Sequence, residues 1–181
     1  MIDFEDLAGQ TGQGGLVEPS YTKDGFLLQH GTGEAAAFYV VSNNVQDGFY
    51  QGSTAIFNVN AGGNTILTKA DNSAFDIFSI DLTNYGNGNS INTLDVTFTG
   101  SLLGGGTVSQ TFAVDDFNGF QTFNFTGFTN LASVSVVTGI PNAIEFDNIN
   151  VSAVPLPAAV WLMGSGLVGL LGLHKKQTLN A

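Results

Sequence analysis

Between Met1 and Ala153 no stretch of the chain sustains the 3.6-residue apolar period of an amphipathic helix, which excludes a helical body. The period it does sustain is two. Leu94, Val96 and Phe98 alternate with Asp95, Thr97 and Thr99, and Val108, Phe112 and Val114 repeat the pattern after the turn Gly104-Gly105-Gly106. Alternation of this kind marks a strand with one face buried and one face wet. Further strand-like runs are Ile2–Leu7, Phe26–Gln29, Ala35–Val41, Thr54–Val59, Thr65–Lys69, Phe75–Leu82 and Ile144–Val151. Gly and Asn punctuate them: Asp24-Gly25 reads as a turn, and Asn60-Ala61-Gly62-Gly63-Asn64 as the tip of a hairpin. In Phe75–Leu82 the apolar phase switches between Ile77 and Phe78, which implies a bulge or burial on both faces. Short Thr-, Val- and Phe-rich strands at regular spacing predict an all-β body, a jelly-roll-like antiparallel β-sandwich over residues 1–153. With 15 Phe the chain can fill such a core, and with no Cys it has no disulfide to fall back on.

The last part of the chain obeys different rules. Pro155-Leu156-Pro157 opens an uncharged run from Ala158 to Leu173, and His174-Lys175-Lys176 closes it. Drawn as a helix, the run from Val154 to Leu173 is ~30 Å long, one hydrocarbon thickness. Residues 154–176 are therefore expected to form one C-terminal transmembrane helix, with residues 177–181 as a short cytoplasmic tail. Lys175 and Lys176 would stay on the cytoplasmic side and leave the body outside. Trp161, Gly164, Gly166, Gly169 and Gly172 complete the anchor, the glycines forming a small-residue face suited to helix packing.

A Pro-x-Pro element, an apolar span with Trp and glycines, and a basic end at the C-terminus resemble the PEP-CTERM sorting signal of Gram-negative bacteria. Leu156 stands where the family's signal has Glu, a VPLP variant. The resemblance covers about the last 25 residues and implies export, the membrane and an exosortase-like sorting enzyme as partners, and processing near Pro155-Leu156-Pro157. It implies a signal peptide as well; the chain opens Met1-Ile2-Asp3-Phe4, without one, and its removal is expected. The body, opening near Phe4-Glu5-Asp6 and closing on Phe146-Asp147-Asn148, resembles the lectin-like and carbohydrate-binding sandwiches common ahead of such tails.

Charge narrows the partners. All 15 carboxylates lie ahead of the tail, against Lys23 and Lys69, and there is no Arg. So acidic a body repels phosphate backbones, which excludes nucleic acid as a partner. Catalytic signatures are missing: His30 is the one His in the body, and no Gly-x-Ser-x-Gly elbow accompanies it. A lone His at a strand end reads as a turn or surface residue. The opening and closing segments, Ile2–Asp6 and Glu145–Val151, are expected to pair side by side. That pairing would bring Asp3, Glu5 and Asp147 together as hard oxygen donors for a structural calcium ion, or leave them facing solvent.

Three functions fit: an exported, non-enzymatic surface or extracellular-matrix protein sorted through its tail, a glycan-binding module for extracellular polysaccharide, and a self-assembling homo-oligomeric subunit. The first is the leading expectation. The second lacks Trp in the body and must draw its aromatic platform from Tyr21, Tyr39, Tyr50 or Tyr85.

Overall fold

The computed structural model describes residues 1–9, 17–31, 38–43, 49–59, 64–84, 93–115, 119–138, 144–154 and 162. After a short 3₁₀ turn, Glu5–Leu7, the strands in chain order are β1 (Val17–Glu18), β2 (Ser20–Lys23), β3 (Phe26–His30), β4 (Phe38–Val41), β5 (Ala55–Asn58) and β6 (Asn64–Lys69). They continue with β7 (Phe75–Asn84), β8 (Thr93–Leu102), β9 (Thr107–Asp115), β10 (Gln121–Asn124), β11 (Leu131–Thr138) and β12 (Ile144–Ala153). The pairings among them are antiparallel.

Hydrogen bonding sorts the strands into two layers. A front sheet runs β1-β4-β5-β12-β7-β10, and a back sheet runs β2-β3-β6-β11-β8-β9. They touch along the ladder at one pair, Leu131↔Phe75. Elsewhere they face each other as a sandwich. The front sheet contributes Phe38, Ile56, Ile77, Ile80, Leu82 and Phe146 to the core, and the back sheet Leu28, Leu67, Val96, Phe98, Phe112 and Val134. Each such side chain gains about 1.5–3 kcal/mol by leaving water, so this shared layer is what holds the sheets together. Along one side, Gln110 of β9 ties the layers: its Nε2 donates to Asn124 O at 3.1 Å and its Oε1 accepts from Thr126 N at 2.9 Å.

The two local turns read from sequence are present. Asp24 (φ 52°) and Gly25 (φ 77°) both take left-handed backbone, as a two-residue hairpin between β2 and β3 requires. Gly105 (φ 92°) and Gly106 (φ 90°) turn β8 into β9. The expected hairpin at 60–64 is corrected. β5 pairs with β4 and β12 while β6 pairs with β3 and β11, so the chain changes sheets between Asn58 and Asn64. A Gly/Asn cluster marks a change of direction, and distant pairing decides between hairpin and crossover.

The opening segment is corrected in part. Ile2 pairs antiparallel with Ile149, exchanging backbone hydrogen bonds of 2.8 Å in both directions, so the two ends of the body do meet. The pairing stops after that residue, because Glu5–Leu7 curl into the 3₁₀ turn and swing Phe4 into the core. Phe4 is fully buried, its ring 5.0 Å from Tyr21 and 6.3 Å from Phe146. His30, expected near the surface, is buried at the end of β3.

Among the described residues no helix is long and apolar enough to cross a membrane. The sorting motif Pro155, Leu156, Pro157, the anchor residues Trp161, Gly164, Gly166, Gly169 and Gly172, and Lys175 and Lys176 lie outside the described residues.

Candidate functional site

The strand whose apolar phase breaks is also where the front sheet stops being regular. Ile77, Ile80 and Leu82 of β7 all enter the core, which period two cannot achieve without an irregularity between Ile77 and Ile80. The register against β12 supplies it, slipping between Asp147↔Asp81, Asn150↔Ser79 and Val151↔Ile77. The bulge pushes Phe78 outward, and its ring is 46 % exposed. Of the two sequence readings, the bulge is the one realised.

Around Phe78 the outer face of β10, β7 and β12 is polar. One cross-strand row is Asn124↔Ser79↔Asn150, whose outer members Asn124 and Asn150 are exposed. The next is Thr122↔Asp81↔Asp147. Asp81 organises three strands: Thr122 Oγ1 donates to its Oδ1 at 2.6 Å, and Asn148 Nδ2 donates to its Oδ2 at 3.0 Å. Asn148 reaches there because it takes left-handed backbone (φ 48°) at the bulge. On the far side of Phe78, Asp76 accepts from Asn130 N at 2.8 Å.

Further in, the same face carries carboxylates that are buried. Asp147 and Glu145 point away from the core yet are fully covered, as is Thr83, which is in register with Glu145. Thr83 Oγ1 has no hydrogen-bond partner among the described residues. Burial pushes the Asp147 carboxyl above the ordinary carboxylate value, even though Ser53 Oγ (2.6 Å) and Asn148 N (2.7 Å) hydrogen-bond to it. Beyond lie aromatic rings: Tyr39 stacks on Phe57 at 5.0 Å and 25°, Phe49 meets Phe57 edge-on at 6.2 Å, and Tyr50 is 39 % exposed.

The three predicted calcium donors are divided. Glu5 and Asp147 share the Ser53 hydroxyl, at 2.9 Å and 2.6 Å. Glu5 also accepts from Thr54 N and Thr54 Oγ1, both at 3.0 Å; the backbone bond from Thr54 is the main reason its carboxyl lies below the usual range. Asp3 instead faces Lys23, whose ammonium is the chief cause of its lowered pKa. Among the described residues no three His, Asp or Glu side chains are grouped so as to hold a metal ion.

Sequence reasoning passed over Phe78 and Asp81. The phase switch at Ile77/Phe78 was the available signal for the first. Of the tyrosines it named, Tyr21 is buried and donates to Asp6 at 2.7 Å, which removes it as a platform, while Tyr85 lies outside the described residues. A void of about 30 Å³ between the sheets, lined by Leu28, Leu67, Ile80, Val96, Phe98 and Ile149 among others, is too small for a sugar ring.

No protein-family model matches the chain, and no curated protein does. Solved structures of similar shape include a family 29 carbohydrate-binding module complexed with mannohexaose, at 12 % identity over 79 % of this chain and 91 % of that one, TM-score 0.45. The CBM22-1 xylan-binding domain of Xyn10C from Paenibacillus barcinonensis is similar at 16 % identity over 81 % of this chain and 99 % of that one, TM-score 0.44. The module TmCBM61, in complex with β-1,4-galactotriose, is similar at 12 % identity over 79 % of this chain and 100 % of that one, TM-score 0.42.

Proposed function

We propose that the body is a non-enzymatic glycan-binding module that reads sugar chains with the outer face of β10, β7 and β12. The observation that carries this reading is the setting of Phe78. A half-exposed aromatic ring stands on a sheet face among Asn124, Asn150, Asp81 and Thr122, side chains that accept or donate hydrogen bonds. A pyranose asks for that combination: its C–H face packs on a ring while its hydroxyls bond to carboxylates and amides at the edge. Asp81 and Asn148 are already held by neighbours, so little side-chain freedom is lost on binding.

Delivery belongs to the tail. The VPLP element, apolar run and Lys175-Lys176 stop support export, membrane insertion and sorting by an exosortase-like enzyme, which would place the module at the cell surface or in the extracellular matrix. The leading expectation from sequence and its glycan-binding alternative then become one protein, an exported matrix component that holds polysaccharide. A glycan array followed by titration of the best hit tests the binding. Retention of one polysaccharide class by the native chain, lost in Phe78→Ala, is the expected result; absence of binding across the array rejects it. Intact mass of the protein from its own cells tests the tail, with loss of everything after the Pro155-Leu156-Pro157 region expected.

A further inference from the structure

Beside the bulge, Glu5 and Asp147 meet at one hydroxyl, and the hydrogens there do not add up unless one of the acids is protonated. Ser53 Oγ lies 2.9 Å from Glu5 Oε1 and 2.6 Å from Asp147 Oδ2. A serine hydroxyl carries a single hydrogen, and an ionised carboxylate can only accept. With both acids ionised, one of the two contacts would set oxygen against oxygen with no proton between them. The remaining partners say which acid holds the extra proton. Glu5 sits at an exposed position and accepts from Thr54 N and Thr54 Oγ1, both at 3.0 Å, as a carboxylate does. Asp147 is fully covered, and its other oxygen accepts from Asn148 N at 2.7 Å. Its contact with Ser53 is the shorter of the two, within the range of an acid O–H donating to oxygen.

The groups around Asp147 favour the same placement. Glu5 faces it from the 3₁₀ turn, Asp81 from β7 in the pair Asp147↔Asp81, and Glu145 shares its side of β12. All three are acids. The other neighbouring strand, β5, carries no titratable side chain, and the lysines are engaged elsewhere, Lys23 by Asp3 and Asp6 and Lys69 by Asp71. Burial is the main reason the Asp147 carboxyl lies above the ordinary range, and the charges of Glu5 and Asp81 add to it.

We infer that a proton held between Asp147 and Ser53 latches the N-terminal turn to the bulged strand β12, and that the latch opens when the proton is lost. Closed, Asp147 Oδ2–H donates to Ser53 Oγ, and Ser53 Oγ–H donates to Glu5 Oε1. Open, two negative carboxylates compete for one hydroxyl hydrogen, and the turn that begins at Glu5 loses its tie to β12. That turn follows directly on the Ile2–Ile149 bridge and on Phe4, which it swings into the core, so the latch holds the join between the two ends of the body. Because the folded pKa is raised, the contribution is present at low pH and is lost as pH rises through the folded value.

The test needs only the native chain. With a chelator present, so that no stray cation replaces the proton, the Asp147 carboxyl carbon is followed by NMR from about pH 4 to about pH 9. Amide hydrogen exchange at Ile2 and Ile149 is read over the same range, corrected for its intrinsic dependence on base. One titration step well above the ordinary value of 3.8 is expected at Asp147. Protection at Ile2 and Ile149 is expected to fall about tenfold across that step, while protection at Val96 and Phe98 of the back sheet holds. Asp147→Asn replaces the acid O–H with an amide N–H that donates at every pH, and should keep the protection while abolishing its pH dependence. Ser53→Ala should lower the protection at every pH. Titration of Asp147 at or below its ordinary value, no step up to about pH 9, or exchange at Ile2 and Ile149 that ignores the step overturns the inference. Each of these is read on the native chain, whether or not the variants fold.

Discussion

On the outer face of the back sheet, Thr97 and Thr111 meet hydroxyl to hydroxyl at 2.8 Å, and Ser109 and Ser135 donate to the carbonyls of Phe98 and Thr99. On the outer face of the front sheet, Asp81 draws in Thr122 and Asn148, Asp147 and Glu145 are buried, and Phe78 stands half in water. Both faces come from strands with period-two text. The back face keeps its alternation along β8 as far as Gly100, with one register shift against β11 between Leu131 and Ser133, and its short hydroxyls satisfy one another or nearby carbonyls. The front face departs from the rule at the β7–β12 bulge and buries charge where a solvated face would be expected. Local rules break more often on the front face than on the back, and such departures are expected at functional or strained sites. The back sheet is read here as scaffold and the front sheet as the working surface.

The sharpest way to break that division is to strike the seam between the layers. Phe75 is fully buried, meets Phe26 edge-on at 5.5 Å and pairs with Leu131 at the point where the sheets join. Phe75→Ala should cost about 3–5 kcal/mol in urea unfolding; a cost below ~1 kcal/mol would mean the sheets do not depend on that seam. Gly100 on β8 leaves no room for a side chain, since a Cβ there would lie 2.7 Å from Leu131 Cδ2. Gly100→Ala should destabilise by about 1–3 kcal/mol, read in the same melts, while the folded fraction binds glycan normally.

Phe78→Ala sharpens the comparison from the other side. It should weaken glycan binding by about tenfold or more while changing stability by less than ~1 kcal/mol, because the ring is only half buried. Acid sensitivity separates the carboxylates. Glu5 has a folded pKa below its ordinary 4.5, so its contribution is present above that value and is lost as pH falls through the folded one. Asp147 has the opposite sign: burial raises its pKa, so its ionisation opposes folding and protonation relieves that as pH drops through the raised value. Glu5→Gln should therefore lower stability at neutral pH and flatten the acid limb between about pH 5 and 3, as followed by thermal melts across that range. The smallest effect belongs to the back face, where Thr97→Ala should stay within ~0.5 kcal/mol and leave binding unchanged.

How much of this was legible follows the same division. The alternation of β8 and β9 and their Gly turn are local, and reading them along the sequence placed Val96, Phe98, Phe112 and Val114 inside correctly. The front sheet is assembled from distant pieces. Period two puts Asp81 opposite Ile80 and Leu82, but its partners lie 41 and 67 residues further on, and no local pattern names them. The meeting of the two ends was readable at Ile2 and Ile149, whereas the curl at Glu5–Leu7 that separates Asp3 from Asp147 was not, because alternation there mimics a strand. The phase switch at Phe78 was visible, and its meaning depended on which face the bulge would open.

The most direct test maps the glycan onto the sheets. Amide chemical shifts of the isotope-labelled chain, followed during titration with the best-binding glycan of the array, should move at Phe78, Ser79, Asp81, Thr122, Asn124 and Asn148 to Asn150, and stay fixed at Thr97, Thr99, Ser109 and Thr111. Shifts gathered on that Thr/Ser face instead, or spread evenly over both sheets, would contradict the assignment of the front sheet as the binding surface.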